Sequence, residues 1–431
     1  MSWIKGGVGL LVAVLFGPLA MAQEEFEKAP IEYSISQPSN RIERLQERID
    51  RGEVVLEHAG GTGYLAALLR ELEIPASSQT LVFSKTSLQQ QRISPRTPRA
   101  IYFSDDMYIG FCQRGDVLEI SAVDPMLGTV FYTLSQKPEE EQSPRFQRQV
   151  ENCLVCHSSS RTENVPGHLV RSLLVASSGH PILSAGSRIV NHTTPIEERW
   201  GGWYVTGKPN GWKHQGNHWE ERDEQPTHRE PLGGNLASLE GLFATDRYLT
   251  SHSDVVALLM LEHQVLVHNR IAAAQFTTRQ ALAYNAMMNE LLEEPKERML
   301  ESTTRRIQGA GEKLLEAMLM TGEAALPAAV EGTSNFAADF LKSAKRDTLG
   351  RSLRDLDLQV RLFRYPCSYL IDSEAFRALP EPMQEYFWKR MDQVLAGEDS
   401  GRSFQHLSHE DRAAIGQILR ETVPAAGSRL R

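Results

Sequence analysis

The sequence predicts an α+β, helix-rich protein with a short-strand N-terminal region, a loop-rich middle and a C-terminal helical region. Three observations predict it. Five short runs rich in β-branched and aromatic residues lie between Thr80 and Gln136, a Gly-, Pro-, His- and Trp-rich stretch follows over 141–245, and long helix-period patterns fill 251–431. The 431 residues are 41% hydrophobic and 23% charged, which is a globular composition able to bury a large core.

The elements follow in order. Lys5, the apolar stretch Val8 to Leu19 and the small-x-small triplet Ala20-Met21-Ala22 read as a cleaved signal peptide over residues 1–22. An uncleaved anchor would need about 20 uninterrupted apolar residues. Here Gly17 and Pro18 break the run. Ile42, Leu45 and Ile49 mark one helix face, and Tyr64 to Leu72 a second helix that ends before Pro75. Strands are expected at Leu81–Phe83, Ala100–Phe103, Met107–Cys112, Val117–Val123 and Thr129–Leu134. Ser143 as N-cap, Pro144 in the first turn, and Phe146, Val150, Cys153 and His157 on one face predict a helix leading into residue 157. A further helix begins at a Ser253 cap and is apolar almost all round, so it is expected to be buried.

Charge narrows the function classes. Lys and Arg total 46 against 55 Asp and Glu, with no long basic run, so nucleic acid is not an expected partner. No stretch after the leader is long and apolar enough for a stable membrane span, which points to a periplasmic or secreted protein.

The cysteines carry the chemistry. Cys153-Leu154-Val155-Cys156-His157 has the C-x-x-C-H pattern of covalent c-type haem attachment, in which two thiols add to the haem vinyl groups and the adjacent imidazole binds iron. The two-residue spacer has a geometric reason: one helical turn presents both sulfurs to the porphyrin edge and leaves the next side chain facing the iron. A zinc site would want a second Cys/His pair, and a thioredoxin-type dithiol a βαβ context. Export strengthens the haem reading, because c-type attachment is made outside the cytoplasm. The expected cofactor is one covalent haem c on Cys153 and Cys156, with His157 as the proximal iron ligand.

The chain resembles a family of large, secreted bacterial proteins carrying a single cytochrome c motif. The residues that carry the resemblance are Cys153 to Thr162, Val165 to Ser172, Glu198 to Gly207, Leu261 to Gln264 with His268-Asn269, and Phe363 to Leu370. The resemblance spans most of the chain after the leader. It implies haem binding and electron transfer in the cell envelope. It departs from small cytochromes c, which place a Met after the motif as sixth iron ligand.

That departure can be read directly. No methionine falls between His157 and Met260, while seven histidines do. The sixth position is therefore imidazole, a methionine from the helical region (Met260, Met318 or Met320), or open. His192, in a loop-like Asn-His-Thr-Thr-Pro stretch, is the preferred distal candidate, and His168 is second. Trp200, Trp203, Trp212 and Trp219 read either as a wall over the haem edge or as ordinary core. Arg171, Arg188 and Arg199 are candidates for the haem propionates. On the buried helix, His263 and His268 are five apart and share no metal-binding face; with Glu262 they read as internally bonded or as a distal shell. A Cys112–Cys367 disulfide stays open.

The expected organisation is a signal peptide over 1–22, a mixed α/β region over 23–140, a c-type haem region over 141–245 and a helical region over 246–431. The expected function is that of an exported c-type cytochrome exchanging electrons with a redox partner protein or a small-molecule donor or acceptor. The alternative is a haem-dependent oxidoreductase, peroxidase-like or reacting with a small ligand, with an open sixth iron position.

Overall fold

A computed structural model describes residues 25–137, 144–221, 233–399 and 401–431. The leader and Ser143 lie outside the described residues. The α+β expectation holds: an antiparallel sheet occupies the N-terminal part and helices the C-terminal part.

Two helices precede the sheet, α1 (Arg41–Asp50) and α2 (Leu65–Glu71). Asn40 caps α1 by accepting from the Ile42 amide, and Ile42, Leu45 and Ile49 are buried as their spacing predicts. The sheet is a six-stranded meander: β1 (Thr80–Val82), β2 (Arg99–Phe103), β3 (Met107–Phe111), β4 (Val117–Asp124), β5 (Gly128–Ser135) and β6 (Phe146–Arg148), each paired to the next. Alternation gives it two faces. Tyr102, Ile109, Leu118, Ile120 and Tyr132 face one way and share a core with α1 and α2. Phe103, Tyr108, Ser121 and Phe131 face the other way, toward the rest of the chain.

β6 corrects an expectation. Residues 143–157 were predicted as one helix, but Phe146–Arg148 form a strand and the helix shrinks to α3 (Leu154–His157). The competing force is backbone pairing. β5 would otherwise end the sheet with open hydrogen-bonding groups, and residues 146–148 satisfy them, with Tyr132 opposite Arg148 and Leu134 opposite Phe146. Arg148 then donates to the carbonyls of Tyr33 and Ser36, which fixes the new strand to the N-terminal segment.

Beyond α3 the chain makes a two-stranded ribbon, β7 (Arg171–Leu173) with β8 (Ser187–Ile189), and then long loops. α4 (Val255–Leu291) is 37 residues long, about 55 Å. Its cap is Asp254, which accepts from the Val256 amide; Ser253 instead donates to the Tyr204 carbonyl and accepts from the Leu81 amide, tying the helix start to β1. α5 (Glu301–Met318) packs back along α4, and α6 (Phe336–Leu341), α7 (Glu374–Arg377), α8 (Glu381–Leu395), α9 (His409–Thr422) and α10 (Pro424–Gly427) complete the helical part. Val255 to Ile271 of α4 lie in the helical core, whereas Ala272 and Phe276 belong to the sheet core, so one helix joins both. Among the described residues no helix is long and apolar enough to cross a membrane.

Candidate functional site

α3 is a single turn. The His157 amide donates to the Cys153 carbonyl at 3.0 Å, and Cys153 stands at the helix start. Leu154 is buried in the sheet core and pins the turn, a burial that stabilises by roughly 2 kcal/mol. The next side chain, Val155, is 83% exposed, so the turn lies at the surface. Cys153 is half-buried and Cys156 exposed, and both thiols are free. Burial pushes the Cys153 thiol up to about 11, with the charge of Glu119 acting in the same direction.

His157 is held from two sides. Its Nδ1 lies 2.9 Å from the Gly167 carbonyl oxygen, and the Gly167 amide donates to the His157 carbonyl at 2.8 Å. Its ring packs on Phe131, centroid to centroid 4.9 Å. Burial lowers its pKa, which favours the neutral ring. A neutral imidazole that donates from Nδ1 keeps its lone pair on Nε2, the tautomer a metal needs. Gly167 is a position for glycine, since a β-carbon there would run into the Asn269 side chain. Asn269 of α4 accepts from the His168 amide and donates to the His168 carbonyl, both at 2.9 Å. The long helix thus fixes the loop that orients His157.

Two cations flank the turn. Arg99 of β2 lies on the same sheet face as Phe131, crosses Gly110, and pairs with Glu119 at 2.7 Å. Arg171 of β7 donates to Ser187. The Nε atoms of both are buried without a hydrogen-bond partner. Two unpaired thiols on one turn and an imidazole with a free lone pair are a donor set that fits haem c. Among the described residues no group of three or more His, Cys, Asp or Glu side chains could hold a bare metal ion. The described large sheet is wholly antiparallel, so the cysteines sit outside any βαβ unit of it.

The structure does not bring His192 to His157. His192 lies in the helical core with Nδ1 3.0 Å from Nδ1 of His263, whose Nε2 is 2.8 Å from Ser368 Oγ. Burial pushes His192 down to about 3. His168 is nearer the motif, packed between Tyr108 and Phe131, but its two ring nitrogens are engaged by Ser121 and Thr129 at 2.9 and 3.1 Å. Met260, Met318 and Met320 are fully buried in the helical core. Of the candidate propionate partners, Arg188 pairs with Glu198, and Arg199 pairs with buried Glu262 at 2.7 Å. Trp200, Trp203 and Trp212 are core residues, and Trp219 packs on Phe83 and Tyr204. Cys112 and Cys367 are both buried free thiols.

Sequence reasoning gave no role to Gly167 or Asn269 and missed Phe131 and Arg99. It also missed an unbroken file of side-chain rings. From His157 it runs to Phe131, to His168 at 6.3 Å, to Tyr108 at 4.2 Å and to Phe103 at 6.2 Å, then on to Phe336 at 5.5 Å and Phe340 at 6.1 Å. Asn269 was the one visible signal, as an amide within an apolar helix. No protein-family model, curated protein or solved structure matches the chain.

Proposed function

We propose that this chain is an exported c-type cytochrome of the secreted single-haem kind its sequence resembles, carrying one haem c and transferring electrons in the periplasm or outside the cell. The observation that carries the reading is the pairing of free Cys153 and Cys156 on one turn with a His157 whose Nδ1 is committed to a carbonyl. Bound haem would supply one-electron redox chemistry. The thiols of Cys153 and Cys156 would hold it, and His157 would ligate its iron through Nε2. Gly167 fixes the imidazole's tautomer and angle, and hydrogen bonding to Nδ1 makes the ligand more electron-rich. Arg171, which has no acidic partner among the described residues, is the candidate for the carboxylates, and Phe131 keeps water from one face of the imidazole. Exposure of Val155 and Cys156 supports access of a redox partner to this turn.

A second reading is favoured by one observation. The two histidines put forward as sixth ligand are bonded elsewhere, His168 to Ser121 and Thr129 and His192 to His263. That arrangement favours an open sixth position and hence a haem-dependent oxidoreductase. Absorption spectra of the oxidised and reduced holoprotein, with and without carbon monoxide, decide between the two. A low-spin spectrum indifferent to carbon monoxide supports the electron carrier, and rapid carbon monoxide binding by high-spin iron supports the enzyme.

A further inference from the structure

A cleft lies away from Cys153 and His157, at the opposite end of the ring file. It encloses about 850 Å³ between the β2–β3 turn, α6 and the segment Tyr369–Asp372, within the size range of small-molecule sites. One wall is aromatic. Phe103, Phe336, Phe340 and Tyr369 follow one another, with centroid separations of 5.5, 6.1 and 5.0 Å. The floor is polar and fixed, since Gln264 of α4 accepts from the Tyr369 hydroxyl and donates to Tyr108 and Ser104.

The most buried charged group lining this cleft is Arg354, which is only 8% exposed. Its guanidinium lies 4.6 Å from the Phe340 centroid and 4.2 Å from that of Tyr369, so its face is covered by rings. Among the described residues its side chain has one hydrogen-bond acceptor, Asp105 at the half-exposed β2–β3 turn. The remaining guanidinium donors have no partner, although a nearly buried arginine ordinarily satisfies several. A carboxylate is the group whose geometry matches such donors. The other cleft cations, Arg41, Arg70, Lys342 and Lys345, also have acidic partners but are more exposed to water than Arg354.

We infer that this cleft binds a small aromatic carboxylate of one or two rings, its carboxylate on Arg354 and its ring along the Phe103–Phe336–Phe340 wall. An aliphatic acid would forgo contact with the lining rings, and an uncharged aromatic would leave the guanidinium with Asp105 as its one acceptor. The site does not depend on haem at Cys153 and Cys156.

The test is calorimetric titration of the full-length holoprotein with benzoate and 2-naphthoate, alongside acetate, benzyl alcohol and benzylamine. Saturable binding of at least one aromatic carboxylate is expected, at least tenfold tighter than the other three probes. Arg354→Gln should weaken it at least tenfold, with the thermal midpoint checked to establish folding. If that variant does not fold, Phe336→Leu should weaken 2-naphthoate severalfold while leaving acetate unchanged. Absence of benzoate and naphthoate binding overturns the inference, as does equal affinity for benzyl alcohol, preference for benzylamine, or unchanged naphthoate affinity in a folded variant of either residue.

Discussion

The Nδ1 atom of His157 lies 2.9 Å from the carbonyl oxygen of Gly167, a residue ten positions on whose own amide donates back to the His157 carbonyl. The pair closes a loop around the end of α3. The loop in turn hangs from α4, because Asn269 bonds both backbone groups of His168. Orientation of the imidazole therefore depends on a helix more than a hundred residues away in sequence.

Asn269→Ala should expose that dependence. It leaves a buried amide and a buried carbonyl at His168 without partners, a loss of roughly 2–4 kcal/mol. Urea denaturation should show the drop, and faster hydrogen exchange at Gly167 and His168 should localise it. A variant within 0.5 kcal/mol or so of the wild type would mean the loop is held by other contacts.

The Arg199–Glu262 pair makes a second, separate prediction. Both side chains are buried, and burial raises the Glu262 pKa to about 7 despite the neighbouring guanidinium. Glu262→Ala strands Arg199 in the helical core and should cost roughly 3–5 kcal/mol. Glu262→Gln, which keeps an acceptor, should cost markedly less. Equal losses in the two variants would show that packing, not charge, governs the site.

Stability should fall on acidification. His168, His192, His214, His263 and His268 all have pKa values lowered by burial, so each contributes stability that is present above about pH 6.5 and lost as pH falls below it. Glu262 and Glu323, both raised to about 7 by burial, act in the opposite sense, adding stability as pH falls from about 7 toward 4.5. With His157 lowered likewise, the buried imidazoles outnumber the raised carboxyls Glu262, Glu323 and Asp106, so unfolding takes up protons near pH 5.5 and stability declines as pH falls. Denaturation curves at pH 7, 6 and 5 check the slope. Glu323→Gln should steepen it, and a flat profile would contradict the buried-histidine account.

The sheet was legible because β2 to β5 are short runs rich in β-branched and aromatic residues between turn signals, α1 because Ile42, Leu45 and Ile49 share a face, and α4 because it is apolar almost all round. The C-x-x-C-H turn was legible from spacing alone. The lead-in helix was misread because Phe146, Val150 and Cys153 satisfy a helical period by coincidence, and sequence contains no statement that β5 needs a neighbour. His192 was chosen on its loop position. Its partner His263 is 71 residues distant, and loop position does not reveal which core a loop enters. The tryptophans read as a core or a cofactor wall, and only packing distinguishes the two.

The central claim is covalent attachment at Cys153 and Cys156, and the intact mass of the denatured protein tests it most directly. Produced in cells able to mature cytochromes c, the exported chain should have the mass of residues 23–431 plus one haem, and should stay haem-stained on a denaturing gel. Cys153→Ala or Cys156→Ala should impair attachment, and the double variant should abolish it. A folded wild-type protein whose mass is that of the polypeptide alone, with both thiols still free to alkylate, would contradict the account.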